Sequence, residues 1–418
     1  MISLRTQDEL RAYYTQVNGD SSLFQTSNDI PTSLECIEEM IRPIPSSVWK
    51  NPSLRILDPC CGCGNFFVVI YNILSEFHSH EHILQMLFFN DTNQDRLNVV
   101  KNVFGKEVQL TCRNFLEFDN DNEPFDLIVA NPPYASFLPN GKRASKNHNL
   151  IGRFLNKSLE LLKENGFLLY ITPDNWMSLS DRNTLISIMT SKQILYLNIH
   201  TAKKYFKKVG SSFTWYVVEN RPFYKELVVE GVWKGKHYID SVPSMIRDYI
   251  PLYFTSAIQS ILSKTIDGDN IKFKVETSSD LHKYTKAKLI QTSRDDYHPY
   301  RLIHTPSQTV WASRPHKFQE GYKVFLGLTS YYNVFVDTCG MTQSIAFIRC
   351  SRQEEANNVK HVLQHPLYRC INNICRWGNF NNVRILQRFP YCNEYTKVYS
   401  SFAISEEEIR LIDTLDQR

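Results

Sequence analysis

Two short segments of this 418-residue chain combine side chains that do chemistry with residues that fix backbone shape. The first reads Leu54-Arg55-Ile56-Leu57-Asp58-Pro59-Cys60-Cys61-Gly62-Cys63-Gly64-Asn65-Phe66-Phe67. An apolar run ends in an acid, turns through two glycines and enters a second apolar run. Glycine lets the backbone approach a ligand closely, and a strand-end carboxylate accepts hydrogen bonds from a cationic or hydroxylic group. By itself, Gly-x-Gly after a strand is a common turn. The second segment is Phe125-Asp126-Leu127-Ile128-Val129-Ala130 running into Asn131-Pro132-Pro133-Tyr134. Two prolines fix the backbone and remove two N–H donors, which leaves carbonyls to accept from a ligand. The Asn131 side chain adds an acceptor and Tyr134 a flat face. Two acceptors and a ring suit a planar group bearing an NH2. A structural Pro-Pro turn is the plainer alternative, and the position directly after a buried strand favours the ligand.

Two further strand ends carry polar residues. Asp91, in Phe88-Phe89-Asn90-Asp91-Thr92-Asn93, can accept both hydroxyls of a ribose or, alternatively, cap the helix expected over Gln94–Val103. Arg113-Asn114-Phe115-Leu116 places a polar side chain where an adenine edge would lie.

In this order the segments resemble a known family. Asp58-Pro59-Cys60-Cys61-Gly62-x-Gly64-Asn65-Phe66 resembles motif I, and Asn131-Pro132-Pro133-Tyr134 motif IV, of the gamma-order N6-adenine DNA methyltransferases. Asp29-Ile30-Pro31-Thr32-Ser33-Leu34 resembles their motif X, and Tyr205-Phe206 with Val209-Gly210-Ser211-Ser212 their motif VIII. The likeness covers about residues 24–220. It departs at Ile30, where the family usually has Thr, at Cys60, usually Ala, and at Asn114, commonly Asp.

The resemblance implies S-adenosyl-L-methionine held by Ile30, Pro31, Thr32, Asp58, Pro59, Cys60, Gly62, Gly64, Asn65, Phe66, Asp91, Asn114, Phe115 and Asn131. It gives Asn131, Pro132, Pro133 and Tyr134 to catalysis, and Tyr134 and Phe206 to stacking on a flipped-out adenine. The electronics agree with that role. An exocyclic adenine nitrogen is a poor nucleophile because its lone pair is delocalised into the ring. Acceptors at Asn131 Oδ1 and the Pro132 carbonyl favour a pyramidal nitrogen and stabilise its developing charge. Neither a metal nor a covalent enzyme intermediate is needed. Double-stranded DNA is the implied partner, in restriction-modification or self-marking, and a cognate restriction endonuclease is a candidate second partner. Two rivals remain: a methyltransferase of a protein glutamine amide or an RNA base amine, and a non-catalytic DNA-binding specificity subunit.

The elements that must position these residues follow from periodicity. Strands are expected at Leu54–Leu57, Leu87–Asn90, Val108–Cys112, Leu127–Ala130, Phe167–Thr172, Ile194–Ile199 and Phe213–Val218. Helices are expected at Phe66–Phe77, Gln94–Val103 and Phe154–Glu164, with Gly166 as a stop. Alternating strands and helices argue an α/β, parallel-sheet fold. The family likeness makes it a Rossmann-like, seven-stranded mixed sheet over residues 1–222, the catalytic domain. Residues 223–418, aromatic-rich and without βα rhythm, read as an α+β target-recognition domain. Thr342-Gln343-Ser344 and Trp377-Gly378-Asn379-Phe380 loosely resemble such domains.

Charge and composition fit that division. Residues 221–418 carry 26 Lys and Arg against 20 Asp and Glu, whereas residues 1–220 carry 21 against 23, so an anionic partner belongs with the second half. Arg314, Lys317, Lys323, Arg376, Arg384 and Arg388 are candidate phosphate contacts. With 42% hydrophobic and 22% charged residues the chain reads as globular. No apolar run is long enough for a membrane span and no signal-peptide pattern opens the chain, so an intracellular, cytoplasmic place in a bacterium, or in the host of a virus or phage, is expected. The ten scattered cysteines read as reduced thiols. His78-Ser79-His80-Glu81-His82 has a metal-like look, but alternating histidines read more simply as a solvated loop.

Overall fold

A computed structural model describes all residues except 1, 3–4, 25–29, 120–122, 135–149, 181–183, 207–209, 211, 244–247, 330, 377, 379 and 417–418. Asp29, Val209, Ser211, Trp377 and Asn379, named above, lie outside the described residues. The chain forms two compact units, Met1–Trp176 with Arg182–Asp248, and Met177–Asp181 with Tyr249–Arg418.

The first unit contains helices α1 (Gln7–Asn18), α2 (Leu34–Ile41), α3 (Ser46–Trp49), α4 (Asn65–Leu74), α5 (His80–Met86), α6 (Gln94–Phe104), α7 (Leu150–Leu161) and α8 (Thr184–Thr190). Its strands are β1 (Ile56–Asp58), β2 (Leu87–Asn90), β3 (Gln109–Thr111), β4 (Phe125–Ala130), β5 (Leu162–Pro173), β6 (Gln193–Ile199), β7 (Phe213–Glu219), β8 (Leu227–Trp233) and β9 (Lys236–Val242). They form one sheet in the order β3-β2-β1-β4-β5-β7-β6-β8-β9. Strands β3 to β5 are mutually parallel, and β7 runs antiparallel between β5 and β6. β1 and β4 are neighbours although α4, α5, β2, α6 and β3 lie between them in sequence. The strand order reverses between them, and in open α/β sheets ligands bind beyond the strand ends at such a point.

Central strands are buried on both faces, which is why they read as continuous apolar runs. Helix α4 is apolar nearly all round and correspondingly buried, so it is a core helix rather than a surface one. α1 begins in a capping box, Thr6 with Glu9, and packs Leu10, Tyr14 and Val17 into the same core.

Four expectations are corrected. The sheet has nine strands, not seven, and the first unit runs to Asp248, not 222. β8 joins β6 in parallel and β9 closes on β8 through the two-residue turn Lys234-Gly235, both with positive φ. β8 alternates buried with half-buried residues and its apolar run is broken by Glu230 and Gly231, while β9 is exposed or half-buried except at Val242. α7 ends at Leu161, and Gly166 lies inside β5, where a Cβ would come within 3.1 Å of the Asp126 carbonyl oxygen. His80 and His82 sit in α5, capped by Ser79, rather than in a loop; the imidazoles of His78, His80 and His82 pair with the Trp49 carbonyl, the Tyr71 hydroxyl and the Pro52 carbonyl respectively.

The second unit adds α9 (Ser256–Lys264), β10 (Glu276–Thr277), β11 (Ile290–Gln291), β12 (Tyr300–Thr305), β13 (Gln308–Ala312), β14 (Tyr322–Gly327), β15 (Val334–Asp337), β16 (Gly340–Met341) and β17 (Ile345–Cys350). Helices α10 (Gln353–Leu363), α11 (Pro366–Ile374), α12 (Val383–Leu386), α13 (Val398–Ser401) and α14 (Glu406–Asp416) follow. Two four-stranded sheets, β10-β17-β14-β15 and β11-β13-β12-β16, carry small apolar cores of their own, and α10 packs on the first. Three of the candidate phosphate contacts are engaged within the unit. Lys323 is 1% exposed and donates to the carbonyls of Glu320, Gly321 and Thr338, while Arg314 pairs with Asp280 and Arg388 with Asp267.

Candidate active site

Asp58 ends β1 and Asn131 follows β4, so the sheet sets the two most informative side chains next to each other at the reversal point. A pocket there is lined by Phe24, Ile30, Pro31, Thr32, Asp58, Cys60, Cys61, Gly62, Cys63, Asn65, Phe66, Arg96 and Asn131. Nine of these thirteen were assigned to the cofactor from the sequence; Phe24, Cys61, Cys63 and Arg96 were not. The pocket encloses about 60 Å³ among the described residues. A larger cleft of about 680 Å³ lies elsewhere in this unit, over Tyr196, Val228 and Glu230, and holds none of the residues singled out in the sequence.

The turn between β1 and α4 is built by its glycines and by two acids. Gly62 has φ 54° and no atom within 4 Å of where a Cβ would stand, which is room for a ligand rather than for a side chain. Gly64 has φ 87° and would press a Cβ against Phe104 and Val100 at 3.3 Å, so it is there for packing. Asp58 Oδ1 accepts from the Cys60 N–H at 3.2 Å, and Asp91 Oδ2 accepts from the Gly62 N–H at 2.9 Å. Burial pushes the Asp58 carboxyl well above the usual carboxylate range; the Cys60 N–H opposes this and the nearby Asp91 charge adds to it. A cationic ligand there would offset that cost by favouring the ionised form.

Asp91 is not the cap of α6. Asn93 is, accepting from the Asp95 and Arg96 N–H groups, while Asp91 Oδ1 takes the Asn93 N–H at 2.9 Å. Arg96 stands 3.9 Å from Asp91, lies over the Phe24 ring at 4.9 Å and donates twice to the Leu23 carbonyl. It therefore ties the chain before residue 25 to the edge of the pocket.

Asn131 Nδ2 donates to the Ile30 carbonyl at 3.0 Å and to Thr32 Oγ1 at 3.1 Å, and its Oδ1 accepts from the Tyr134 hydroxyl. Tyr134 and Phe206 do not face each other as two open plates. Phe206, 3% exposed, stacks on Phe213 with ring centres 4.5 Å apart, and Tyr134 packs on the same Phe213 at 5.9 Å. Phe213 was legible only as the start of a strand. Pro59, Gly64, Asp91, Asn114 and Phe115 are absent from the pocket's lining. Asn114 is exposed and caps the short 3-10 helix Phe115–Glu117, and Phe115 is buried against Phe118 and Phe154. Pro59 lies beneath the turn, its carbonyl accepting from Asn90 Nδ2.

Helix α1 also belongs to the site's support. Tyr14 donates to the Cys63 carbonyl at 2.9 Å, and Asn18 Oδ1 accepts from Asn65 Nδ2 at 3.0 Å. The only sequence signal for this was the Thr6–Glu9 cap ahead of an amphipathic stretch.

Residues 63–206 match the model of a family described as the Eco57I restriction-modification methylase. Over 96 residues, 18% of this chain and 22% of the other, the protein is 34% identical to the Type II methyltransferase M.TthHB8I of Thermus thermophilus. It is 24% identical over 215 residues, 46% of this chain and 21% of the other, to the Type II restriction enzyme and methyltransferase RM.Eco57I of Escherichia coli. The aligned stretches thus span about a fifth of the length of these relatives. Among solved structures, that of a DrdV–DNA complex shares the fold with a TM-score of 0.58 at 11% identity, covering 98% of this chain and 60% of that one. Asp58 and Gly62 precede the matched segment, whereas Asn65, Asp91, Asn131, Tyr134 and Phe206 fall inside a stretch similar to restriction-modification methylases.

Proposed function

We propose that the protein transfers a methyl group from S-adenosyl-L-methionine to the exocyclic amino group of an adenine in double-stranded DNA, as a restriction-modification methyltransferase. The observation that carries this reading is the Asn131 carboxamide, set by β4 beside Asp58 at the reversal of strand order. The similarity of residues 63–206 to restriction-modification methylases supports it.

The residues fit the cofactor. Asp58 in the lining would take its ammonium, Asp91, which accepts from the Gly62 N–H just outside the lining, would take its ribose hydroxyls, Gly62 leaves room above the turn, and Phe66 and Phe24 offer apolar wall. Bound there, it supplies an electrophilic methyl group on a sulfonium. Asn131 Oδ1 and the Pro132 carbonyl then accept from the two amino hydrogens and stabilise the positive charge that grows on nitrogen. Pro132 and Pro133 bring no N–H to compete. Tyr134 offers a ring to the base, and the Phe206–Phe213 stack backs it. The target base must leave the duplex to reach these groups. The second unit would contact DNA, and it presents Tyr284, Tyr297 and Tyr331 to solvent, the first beside Lys283 and Lys286.

The test is incubation of the protein with labelled S-adenosylmethionine and a mixture of unmethylated genomic DNA, RNA and protein. Label recovered as N6-methyladenine in DNA is the expected outcome. Label in a protein amide or an RNA base, or none in any polymer, would end this reading.

A further inference from the structure

The Asn131 carboxamide is gripped from both sides, and the grip has a direction. Its Nδ2 faces the Ile30 carbonyl and Thr32 Oγ1, and its Oδ1 faces the Tyr134 hydroxyl. Rotated by half a turn, the amide would set Oδ1 against the Ile30 carbonyl, two acceptors with no proton between them. A carbonyl cannot adapt to this, so the main chain at residue 30 decides which end of the amide faces it, and the Thr32 hydroxyl anchors that same end.

Thr32 is itself immobilised. It is 3% exposed, and its carbonyl accepts from Asn65 Nδ2 at 2.7 Å, a group that also donates to Asn18 Oδ1 at 3.0 Å. Four polar side chains, Asn18, Asn65, Thr32 and Asn131, thus link the end of α1, the start of α4, the stretch before α2 and the end of β4. Thr32 and Asn65 are buried and Asn18 and Asn131 half-buried, and a network whose members are satisfied rigidifies the groups in it.

We propose that Thr32 is a positioning residue for methyl transfer that acts through Asn131 and not through the cofactor. Its hydroxyl oxygen holds the Asn131 amide with Oδ1 turned to the target amino group, and Asn65 buttresses the Thr32 backbone. The inference rests on the reading of Asn131 as the acceptor of the target amine. Its physical basis is preorganisation. An amide free to turn presents N–H donors to an NH2 group for part of the time, and the transition state then bears the cost of realigning it.

The experiment uses the full chain and two variants of residue 32. Thr32→Val keeps the shape and removes the oxygen, whereas Thr32→Ser keeps the oxygen. Cofactor affinity is measured by calorimetry, and methyl transfer by single-turnover labelling of unmethylated genomic DNA. Loss of one neutral hydrogen bond corresponds to a rate about five- to tenfold lower in Thr32→Val, with cofactor Kd within about twofold of the parent. Thr32→Ser should recover the rate to within about twofold. In an Asn131→Ala background, Thr32→Val should slow transfer no further, because the group it acts on is gone. Should Thr32→Val fail to fold, Thr32→Cys, whose sulfur is a weak acceptor, takes its place with the same expectations. A Thr32→Val protein with weakened cofactor binding and a normal saturated rate would make Thr32 a cofactor contact and overturn the inference. So would an undiminished effect in the Asn131→Ala background. Full activity of Asn131→Ala would instead remove the parent reading, which keeps the two failures distinct.

Discussion

Asp58 meets the other acid of the site, Asp91, through the backbone of one turn, and the desolvation of Asp58 has a measurable consequence. Its pKa is raised by burial, so the folded state binds a proton that the unfolded state has already released. Stability is therefore full below the ordinary carboxylate pKa and declines as the pH rises through the raised one. A cationic or hydroxylic ligand on Asp58 reverses that cost by favouring the ionised form. Cofactor affinity should accordingly strengthen with pH across this window, with proton release on its acid side, and Asp58→Asn should flatten the dependence. Calorimetry in two buffers of different ionisation enthalpy measures both, and a flat profile in the parent protein would take Asp58 out of the ligand's reach. Asn131→Ala should lower the methyl-transfer rate by about 10²–10³ while cofactor binding changes little, by analogy with removal of one oxyanion-hole donor. Tyr134→Ala removes a stacking face worth about 1–3 kcal/mol per base, and a mismatch at the target adenine should partly restore it. The same mismatch should leave Asn131→Ala unrescued, since that defect lies in the transition state. Equal rescue of both variants would show that the two residues share one role.

At the scale of elements, the site depends on two pieces that contribute no chemistry. Helix α1 holds the turn before α4 by the bond from Tyr14 to the Cys63 carbonyl, and Tyr14 is 1% exposed. Tyr14→Phe leaves that carbonyl without its donor. It should cost about 1–3 kcal/mol of stability in denaturant unfolding and weaken cofactor binding in step. An unchanged unfolding midpoint would mean that the turn stands without α1. Strands β8 and β9 complete the sheet at its other side, where β8 covers the edge of β6. A fragment ending at residue 222 leaves that edge bare and removes the buried Leu227 and Val229, so it should aggregate. A fragment ending at residue 248 keeps all nine strands and should stay soluble. Size-exclusion chromatography of the two fragments decides the matter, and equal solubility would make β8 and β9 dispensable.

For the whole molecule, the second unit's share of the work is open to a salt titration. If its lysines and arginines contact phosphates, DNA affinity should fall on a log–log plot with a slope of roughly −0.9 per contacted phosphate. Replacing Lys283, Lys286 and Lys288 by Ala should make that slope shallower, whereas Lys323→Ala should act on stability instead, because Lys323 is buried among carbonyls. The fragment ending at residue 248 should bind cofactor and lose DNA; full DNA affinity there would move recognition into the first unit.

Much of this could be read without coordinates, for a definite reason. The central strands of the sheet are buried on both faces, so β1, β2, β4 and the antiparallel β7 appear as apolar runs, and the residues at their ends appear as breaks in those runs. Asp58, Asp91 and Asn131 were legible in that way, as was the passage of one glycine-bearing turn into α4. What local pattern cannot carry is which strand lies beside which. The adjacency of β1 and β4, which brings Asp58 to Asn131, is a property of the sheet. β8 and β9 stayed hidden because Glu230 and Gly231 break up the first and most of the second is exposed or half-buried. The grip on Asn131 was hidden for the same reason as the sheet order. Asn18, Thr32, Asn65 and Asn131 are spread over more than a hundred residues, and each looks locally like a cap, a turn or a ligand contact. Their meeting is decided by hydrogen-bond geometry, to tenths of an ångström, and only the folded chain brings that into being.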